Sequence, residues 1–367
     1  PRAYELCHEF KKRGKTVILG GVHPTILPEE ALQHADCVVE GEAEGVWDTL
    51  LKDFQKNELK ERYHEPKPDL TKYVPKDFKK IIKNRLFKMI PVMTTRGCPY
   101  NCEFWSVTNL IGKKIRHIPI ENVVSDILDS GAKNIMFLDD NIIGHPRYAK
   151  ELFEAIKPLK IKWVGQASVS LLVKDRELMQ LAADSGCKAL FFGIESVSKD
   201  QLLKMRKAYN EIEHMEEAMK KIKKMGILIH ASMVFGFDDD TKEIFNDTVK
   251  FLIKNKVSTV SFNILTPYPG TKTYDTLKEE GRLTTSDWHY YDHNTVVFQP
   301  KNMTPYELQA GKVDARKRFY KVSSVLKRLS GNLYSPLIYF ATNYGHMKQV
   351  KVESKRMVEL ESELFVN

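Results

Sequence analysis

Ala189-Leu-Phe-Phe-Gly-Ile194 is a short apolar run that stops at Glu195-Ser196. A run of this length, closed by polar residues and followed by a helical segment, reads as a strand buried on both faces. The same unit recurs along the chain. Ile90–Thr95, Asn134–Leu138, Lys162–Ala167, Leu228–Phe235 and Thr259–Leu265 are the other strand candidates. Helical segments at Asn122–Ser130, Tyr148–Ile156, Arg176–Ser185, Ile212–Met225 and Lys242–Asn255 alternate with them. Six βα units predict a parallel sheet with helices on its outer face. Eight would close a full barrel. The expected fold class is therefore α/β, with an open (βα)6 partial TIM-type barrel over residues 90–285 preferred to an open six-stranded sheet.

Residues 1–55 read as a smaller α/β piece. A helix at Ala3–Arg13 leads to the strand Thr16–Leu19, then Gly20-Gly21, a helix near Pro28–His34 and the strand Cys37–Val39. Two strands are too few for an independent doubly wound sheet. The missing half is expected before Pro1, and the chain reads as a fragment. Residues 56–89, rich in Lys and Pro, predict a linker. Residues 286–367 predict a mainly helical C-terminal extension, with an aromatic stretch at Trp288–Phe298 and one long basic helix at Thr304–Leu329.

Composition excludes several classes. The 367 residues suggest two or three domains at about 150 residues each. With 42% hydrophobic and 29% charged residues, the chain is neither disordered nor a small disulfide scaffold. No apolar run reaches the roughly 20 residues that span a bilayer. Five cysteines and no signal-peptide pattern predict a cytoplasmic protein. Net charge is +9, and residues 301–330 hold eight Lys or Arg against two Asp or Glu. Such a segment suits a peripheral contact with an anionic membrane, a nucleic acid or an acidic partner, but a solvated helix face is the plainer reading. Nucleic acid is not expected, because no recognition motif accompanies the charge.

In parallel βα folds, ligands gather at the C-terminal ends of the strands. Those positions are polar here. They are Thr94 to Cys98, then Asp139, Asp140 and Asn141, then Gln166 and Ser168, then Glu195 and Ser196, then Gly236 and Asp238, and last Asn263, Thr266 and Pro267. Six polar ends in phase predict one shared site.

The run Thr95-Arg-Gly-Cys-Pro-Tyr-Asn-Cys-Glu-Phe-Trp-Ser106 resembles the cluster-binding loop of radical S-adenosylmethionine (SAM) enzymes, Cys-x3-Cys-x-aromatic-Cys. Phe137-Leu-Asp-Asp140, Gly193-Ile-Glu-Ser196, Phe235-Gly-Phe-Asp238 and Thr266-Pro-Tyr-Pro-Gly-Thr271 are also similar to that superfamily. Upstream, Gly20-Gly-Val-His-Pro-Thr25 and Gly41-Glu-Ala-Glu44 resemble the C-terminal half of a cobalamin-binding domain. The resemblance implies a [4Fe–4S] cluster on Cys98 and Cys102, with SAM on the open iron. It implies that Phe104 lies near the adenine and that Asp139 and Asp140 face the amino group. Gln166, Glu195 and Ser196 would hold ribose or carboxylate, and Gly236 would let backbone approach the ligand. Gly20 and Gly21 would contact cobalamin in the full-length protein. The implied activity is reductive SAM cleavage followed by a radical reaction such as cobalamin-dependent methylation. The implied partners are a small-molecule or lipid-like substrate and an electron donor such as flavodoxin or ferredoxin. Residues acting on that substrate are not readable.

One position departs from the pattern. Where the family has its third cysteine, this chain has Trp105. Indole has an N–H donor and no lone pair suited to iron. Cys187 starts the strand ending at Glu195, roughly 20–25 Å away at 3.3 Å per residue, and Cys7 and Cys37 belong to the upstream piece. Three explanations stand: a single-base substitution, a descendant that kept the fold and lost the cluster, or a cluster completed by water or an external ligand. The alternative function is therefore a catalytically impaired or non-catalytic descendant. Plainer readings also stand beside each motif. His117 and His23 read as exposed, and the Asp139-Asp140 pair as turn caps.

Overall fold

The computed structural model describes residues 1–64, 67–72, 78, 89–99, 112–204 and 212–364. A parallel sheet of three strands comes first: β1 (Ile18–Gly20), β2 (Cys37–Glu40) and β3 (Arg62–His64), in that order. The third strand lies in the stretch expected to be linker. Only Tyr63 in it is apolar, so it carries no periodic signal. Tertiary contact fixes it instead, because Tyr63 packs with Cys37, Val39, Val46 and Leu50 and donates to Asp53 at 2.7 Å.

The main sheet begins with β4 (Met89–Val92). After the short antiparallel pair β5 (Thr95–Arg96) and β6 (Arg116–His117) come β7 (Asn134–Phe137), β8 (Lys162–Gln166), β9 (Cys187–Glu195), β10 (Leu228–Phe235) and β11 (Thr259–Ile264). The order is β4-β7-β8-β9-β10-β11, with every neighbouring pair parallel. Strands in sequential order, joined through outer helices such as Pro146–Ile156 and Glu243–Lys254, give the open partial barrel that the alternation predicts.

The strands are less uniformly apolar than they read. Leu190, Phe192 and Ile194 of β9, Ile229, Ala231, Met233 and Phe235 of β10, and Val260, Phe262 and Ile264 of β11 join one core against the helices. The alternate residues, Gly193, Glu195, His230, Ser232, Ser261 and Asn263, line the lumen. Side chains that alternate across each strand put the apolar set outside and a polar set inside.

The long basic helix is two helices, Pro305–Phe319 and Val322–Leu329. The chain breaks where Tyr320 meets the edge strand β11. Its hydroxyl accepts from Val260 N at 2.8 Å and donates to Val260 O at 2.7 Å, blunting that edge. Nor is this segment simply a solvated face. Lys312 (3.0 Å) and Arg316 both reach Glu353 of the Pro336–Leu364 helix. Arg328 is fully buried and stacks 3.7 Å above the Phe319 ring. It donates to Val257 O, Ser258 O, Phe319 O and Asn343 Oδ1 at 2.7–3.1 Å. No described helix is long and apolar enough to cross a membrane.

Arg328 ties both short helices and the long one to the start of β11. Arg328→Met should destabilise the fold by about 2–4 kcal/mol, because three carbonyls and the Asn343 amide oxygen each lose a donor, leaving Ser258 O with Asn343 Nδ2. Urea unfolding of the two chains measures the difference.

Candidate active site

After β4 the chain passes through Met93 and Thr94 into β5, and one side chain fixes this exit. Asp139, just beyond β7, is buried. Its Oδ1 accepts from Thr94 N (3.2 Å), Thr94 Oγ1 (2.7 Å), Thr95 N (2.5 Å) and Thr95 Oγ1 (2.6 Å). Burial pushes the pKa of this carboxyl up against the pull of those donors. Next, Thr95 and Arg96 of β5 lie opposite His117 and Arg116 of β6. The segment between them thus leaves and returns at one point. Cys98 N donates to Gly112 O at 3.3 Å. Gly97 has φ +102°, and a Cβ on it would stand 2.6 Å from Lys114 O, so no other residue fits. Cys98, at the start of this excursion, is buried.

A cavity of about 450 Å³ opens at the C-terminal ends of the strands. Gln166, Glu195, Ser232, Asn263 and Thr266 supply its polar wall, while Phe191, Val234, Leu265 and Tyr268 supply the apolar one. Two local irregularities lie at Glu195, the last residue of β9. The β9–β10 register shifts so that Met233 pairs with Glu195, and Glu195 has φ +70°. Alternation from Gly193 already turns Glu195 inward, and the bulge with the left-handed backbone sets the direction of its carboxylate at the strand's end.

His230 stands deeper in the lumen, with its ring nitrogens 2.9 Å from Thr259 Oγ1 and 3.0 Å from Ser261 Oγ. Burial, helped by His346 and Arg316, pulls its pKa down to about 3, so the ring is neutral at physiological pH. His293, from the C-terminal extension, closes the cavity beside Tyr268 at 5.1 Å between ring centroids. Its carbonyl accepts from Ile264 N at 2.7 Å. Neither histidine was expected from the sequence. Polar residues at every second position of β10 and β11 were the available signal for His230; none pointed to His293.

Of the expected strand-end residues, Gln166, Glu195, Asn263 and Thr266 line this cavity. Asp140, next to Asp139 in sequence, is half-buried, and burial together with Asp139 pushes its carboxyl up to about 6. Others do different work. Asp139 anchors the backbone and hydroxyl groups of Thr94 and Thr95 with its oxygens. Ser196 is buried and accepts from Ser198 N at 3.1 Å, capping a turn. Gly236 has φ +105°, and a Cβ there would lie 2.9 Å from Leu308 and 3.0 Å from Phe298, so it makes room for protein and not for ligand. Asp238 pairs with Arg282 and Lys301, each at 2.7 Å. His117 is half-buried and stacks on Tyr148 at 4.6 Å rather than facing solvent. Cys187 is buried at the far end of β9. Cys102, Phe104 and Trp105 lie outside the described residues.

The three-stranded sheet is fastened to this mouth. Glu42 bridges Arg96 and Arg116, and Glu44 takes the other arm of Arg96 at 2.5 Å. Glu30 accepts from Trp288 Nε1 at 3.0 Å and faces His23 Nε2 at 3.0 Å. Thus His23 is held, and Trp288 serves a contact between the two ends of the chain. Gly21 has φ +105° with open space where a Cβ would be, and its carbonyl accepts from Thr25 N at 3.1 Å. A Cβ on Gly20 would meet Val39 at 3.6 Å, an ordinary contact.

The implied cofactors can be tested against these residues. For SAM, the cavity offers the polar side chains of Gln166, Glu195, Ser232, Asn263 and Thr266 beside an apolar wall. For the cluster, the sequence gives Cys98 and Cys102 and is one thiolate short. Among the described residues no three His, Cys, Asp or Glu side chains gather as a metal site.

Two measurements check this geometry. Glu42→Gln should cost about 1–3 kcal/mol, because it takes the carboxylate from largely buried Arg116 and leaves Arg96 with Glu44 alone, and thermal unfolding reads the loss. His230 binds its proton only near pH 3 when folded but near 6.5 when unfolded. Stability should therefore fall as pH drops from about 6.5 towards 3, by up to about 1.4 kcal/mol per pH unit from this residue. In His230→Gln that slope should flatten in denaturant titrations.

Residues 92–252 match the Radical SAM superfamily. Bacteriochlorophyllide d C-12(1)-methyltransferase of Chlorobaculum tepidum is 33% identical over 341 residues, covering 90% of this chain and 74% of that protein. The C-8(2)-methyltransferase of the same organism is 32% identical, covering 96% and 82%. Among solved structures, the radical SAM methyltransferase TsrM from Kitasatospora setae, with cobalamin and a [4Fe–4S] cluster bound, shares the fold. Its TM-score is 0.64 at 15% identity, over 84% of this chain and 69% of that one. The Cys-x3-Cys run, the open barrel and these relatives agree: the chain belongs to the radical SAM superfamily.

Proposed function

We propose that this enzyme is a cobalamin-dependent radical SAM methyltransferase acting on an unreactive carbon of a small, largely apolar molecule. The observation that carries the reading is the likeness to two bacteriochlorophyllide methyltransferases over nine-tenths or more of the chain. When bound, the cluster supplies the electron that cleaves the SAM sulfonium, and cobalamin supplies the methyl group. Cys98 and Cys102 would hold the cluster. Gln166 and Glu195 would bind the ribose or carboxylate of SAM, and Asp140, ionised above about pH 6, its ammonium. Phe104 would lie against the adenine. Phe191, Leu265 and Tyr268 exclude water from the reacting carbon, while the neutral His230 leaves the floor uncharged. Residues 1–55 would belong to the cobalamin-binding part, with Gly20 and Gly21 at its turn. The ties from Glu30, Glu42 and Glu44 to the barrel support that placement. An electron donor of the flavodoxin or ferredoxin kind is required. Buried thiols at Cys7, Cys37 and Cys187 suit the reducing cytoplasm.

A second reading is favoured by Trp105: a descendant that keeps the fold and binds SAM or a partner without completing the cluster. Anaerobic reconstitution separates the two. If the chain as it stands takes up four irons with matching sulfide and cleaves SAM under reduction, the impaired reading fails. If only Trp105→Cys does so, one missing ligand accounts for the loss. No gain in the variant would mean that the site has decayed more widely.

A further inference from the structure

Residues 315–352 contain eight Lys or Arg and no Asp or Glu. The fold uses three of these cations internally: Arg316 with Glu353, Arg318 with Asp314, and buried Arg328. Lys317, Lys321, Lys327, Lys348 and Lys351 stay exposed, with no ion pair among the described residues. Further lysines join them from the barrel. Lys256 donates to Lys327 O at 2.9 Å, and Lys223 donates to Asn255 O at 2.5 Å. A Cβ on Gly331 would stand 2.5 Å from Lys256 and 3.6 Å from the Lys223 ammonium, so these lysines crowd one turn. Burial, with Lys256 and Lys220 nearby, pulls Lys223 down to about 8. Glu216, on the helix that carries Lys223, is already taken by Lys254 and Asn255.

Large apolar side chains project from the same helix–turn–helix. Val322, Leu326, Leu333, Tyr334, Leu337 and Tyr344 are exposed, Leu337 by 85% and Tyr334 by 70%. The Pro336–Leu364 helix buries Tyr339 and Asn343, so at 100° per residue Leu337, Tyr344 and Lys348 fall on its outer side. Lys348 lies 4.7 Å over the Tyr344 ring. Exposed aliphatic and tyrosine side chains inside a rim of one charge sign match a bilayer interface with anionic headgroups. A second copy of the chain fits poorly, since a two-fold contact here would set lysines against lysines.

We propose that the tip formed by the Val322–Leu329 helix, the following turn and the start of the Pro336–Leu364 helix docks the protein on an anionic lipid surface. The apolar side chains enter the headgroup boundary, and the lysines meet lipid phosphates. This does not depend on the catalytic reading, because none of these residues lines the cavity at the strand ends.

Co-sedimentation of the chain with phosphatidylcholine vesicles, with and without phosphatidylglycerol, tests it. Binding should need phosphatidylglycerol, weaken at high salt, and fall roughly five-fold or more per lysine in Lys327→Gln/Lys348→Gln. Leu333→Ser/Leu337→Ser should abolish it, with the circular dichroism spectrum and thermal midpoint unchanged. Absent binding, equal binding to both vesicles, or binding indifferent to both double variants would overturn the proposal. So would sedimentation velocity showing a dimer that Leu333→Ser/Leu337→Ser dissociates while vesicles capture nothing; the face would then belong to a second copy.

Discussion

The architecture of the site hangs on one buried carboxylate. Asp139 gathers the backbone and hydroxyl groups of two consecutive threonines, and so sets where the chain leaves the first barrel strand. From that point β5 and β6 pair, Gly97 turns in a space no larger residue could occupy, and Cys98 lies at the barrel mouth. Arg96 and Arg116, the next side chains on the pair, then receive Glu42 and Glu44 from the small sheet. A single interaction thereby ties three parts together: the end of a strand, the root of the cysteine loop, and the neighbouring sheet.

The second constraint is the alternation within the last three barrel strands. Their outward residues are apolar and pack on helices, while their inward residues include His230, Ser232, Ser261, Asn263 and Glu195. A lumen of this kind must satisfy its polar groups locally, and it does so. His230 is shared between Thr259 and Ser261, and Asn263 donates to Ser232 at 3.0 Å. Cations are likewise drawn inside the C-terminal extension, where Arg328 finds carbonyls instead of a carboxylate.

The barrel was legible because its strands are long and their spacing repeats: β10 was read from the sequence with the same ends it has in the structure. The third strand of the small sheet was not, since Arg62-Tyr-His64 shows no pattern and depends on Tyr63 finding a pocket. The break at Tyr320 was hidden for a similar reason, as nothing local predicts a hydroxyl reaching the edge of β11. At the site, Gln166, Glu195, Asn263 and Thr266 could be found from strand-end position alone. Position did not reveal what each polar end does. Asp139, Ser196, Gly236 and Asp238 sit at such ends, yet each is occupied with its own protein, a distinction that only partners in space can make. His293 comes from outside the repeat altogether.

The clasp at the root of the cysteine loop also separates two properties that metalloproteins often combine. Its contacts lie at Thr94–Cys98 and Gly112–Ile118, and none of them uses Cys102 or Trp105. In small metal-nucleated domains, losing a ligand means unfolding and clearance by the cell. Here a gene could lose a ligand codon and still yield a folded, long-lived product. Abundance of such a protein in a cell therefore carries no information about whether it is loaded.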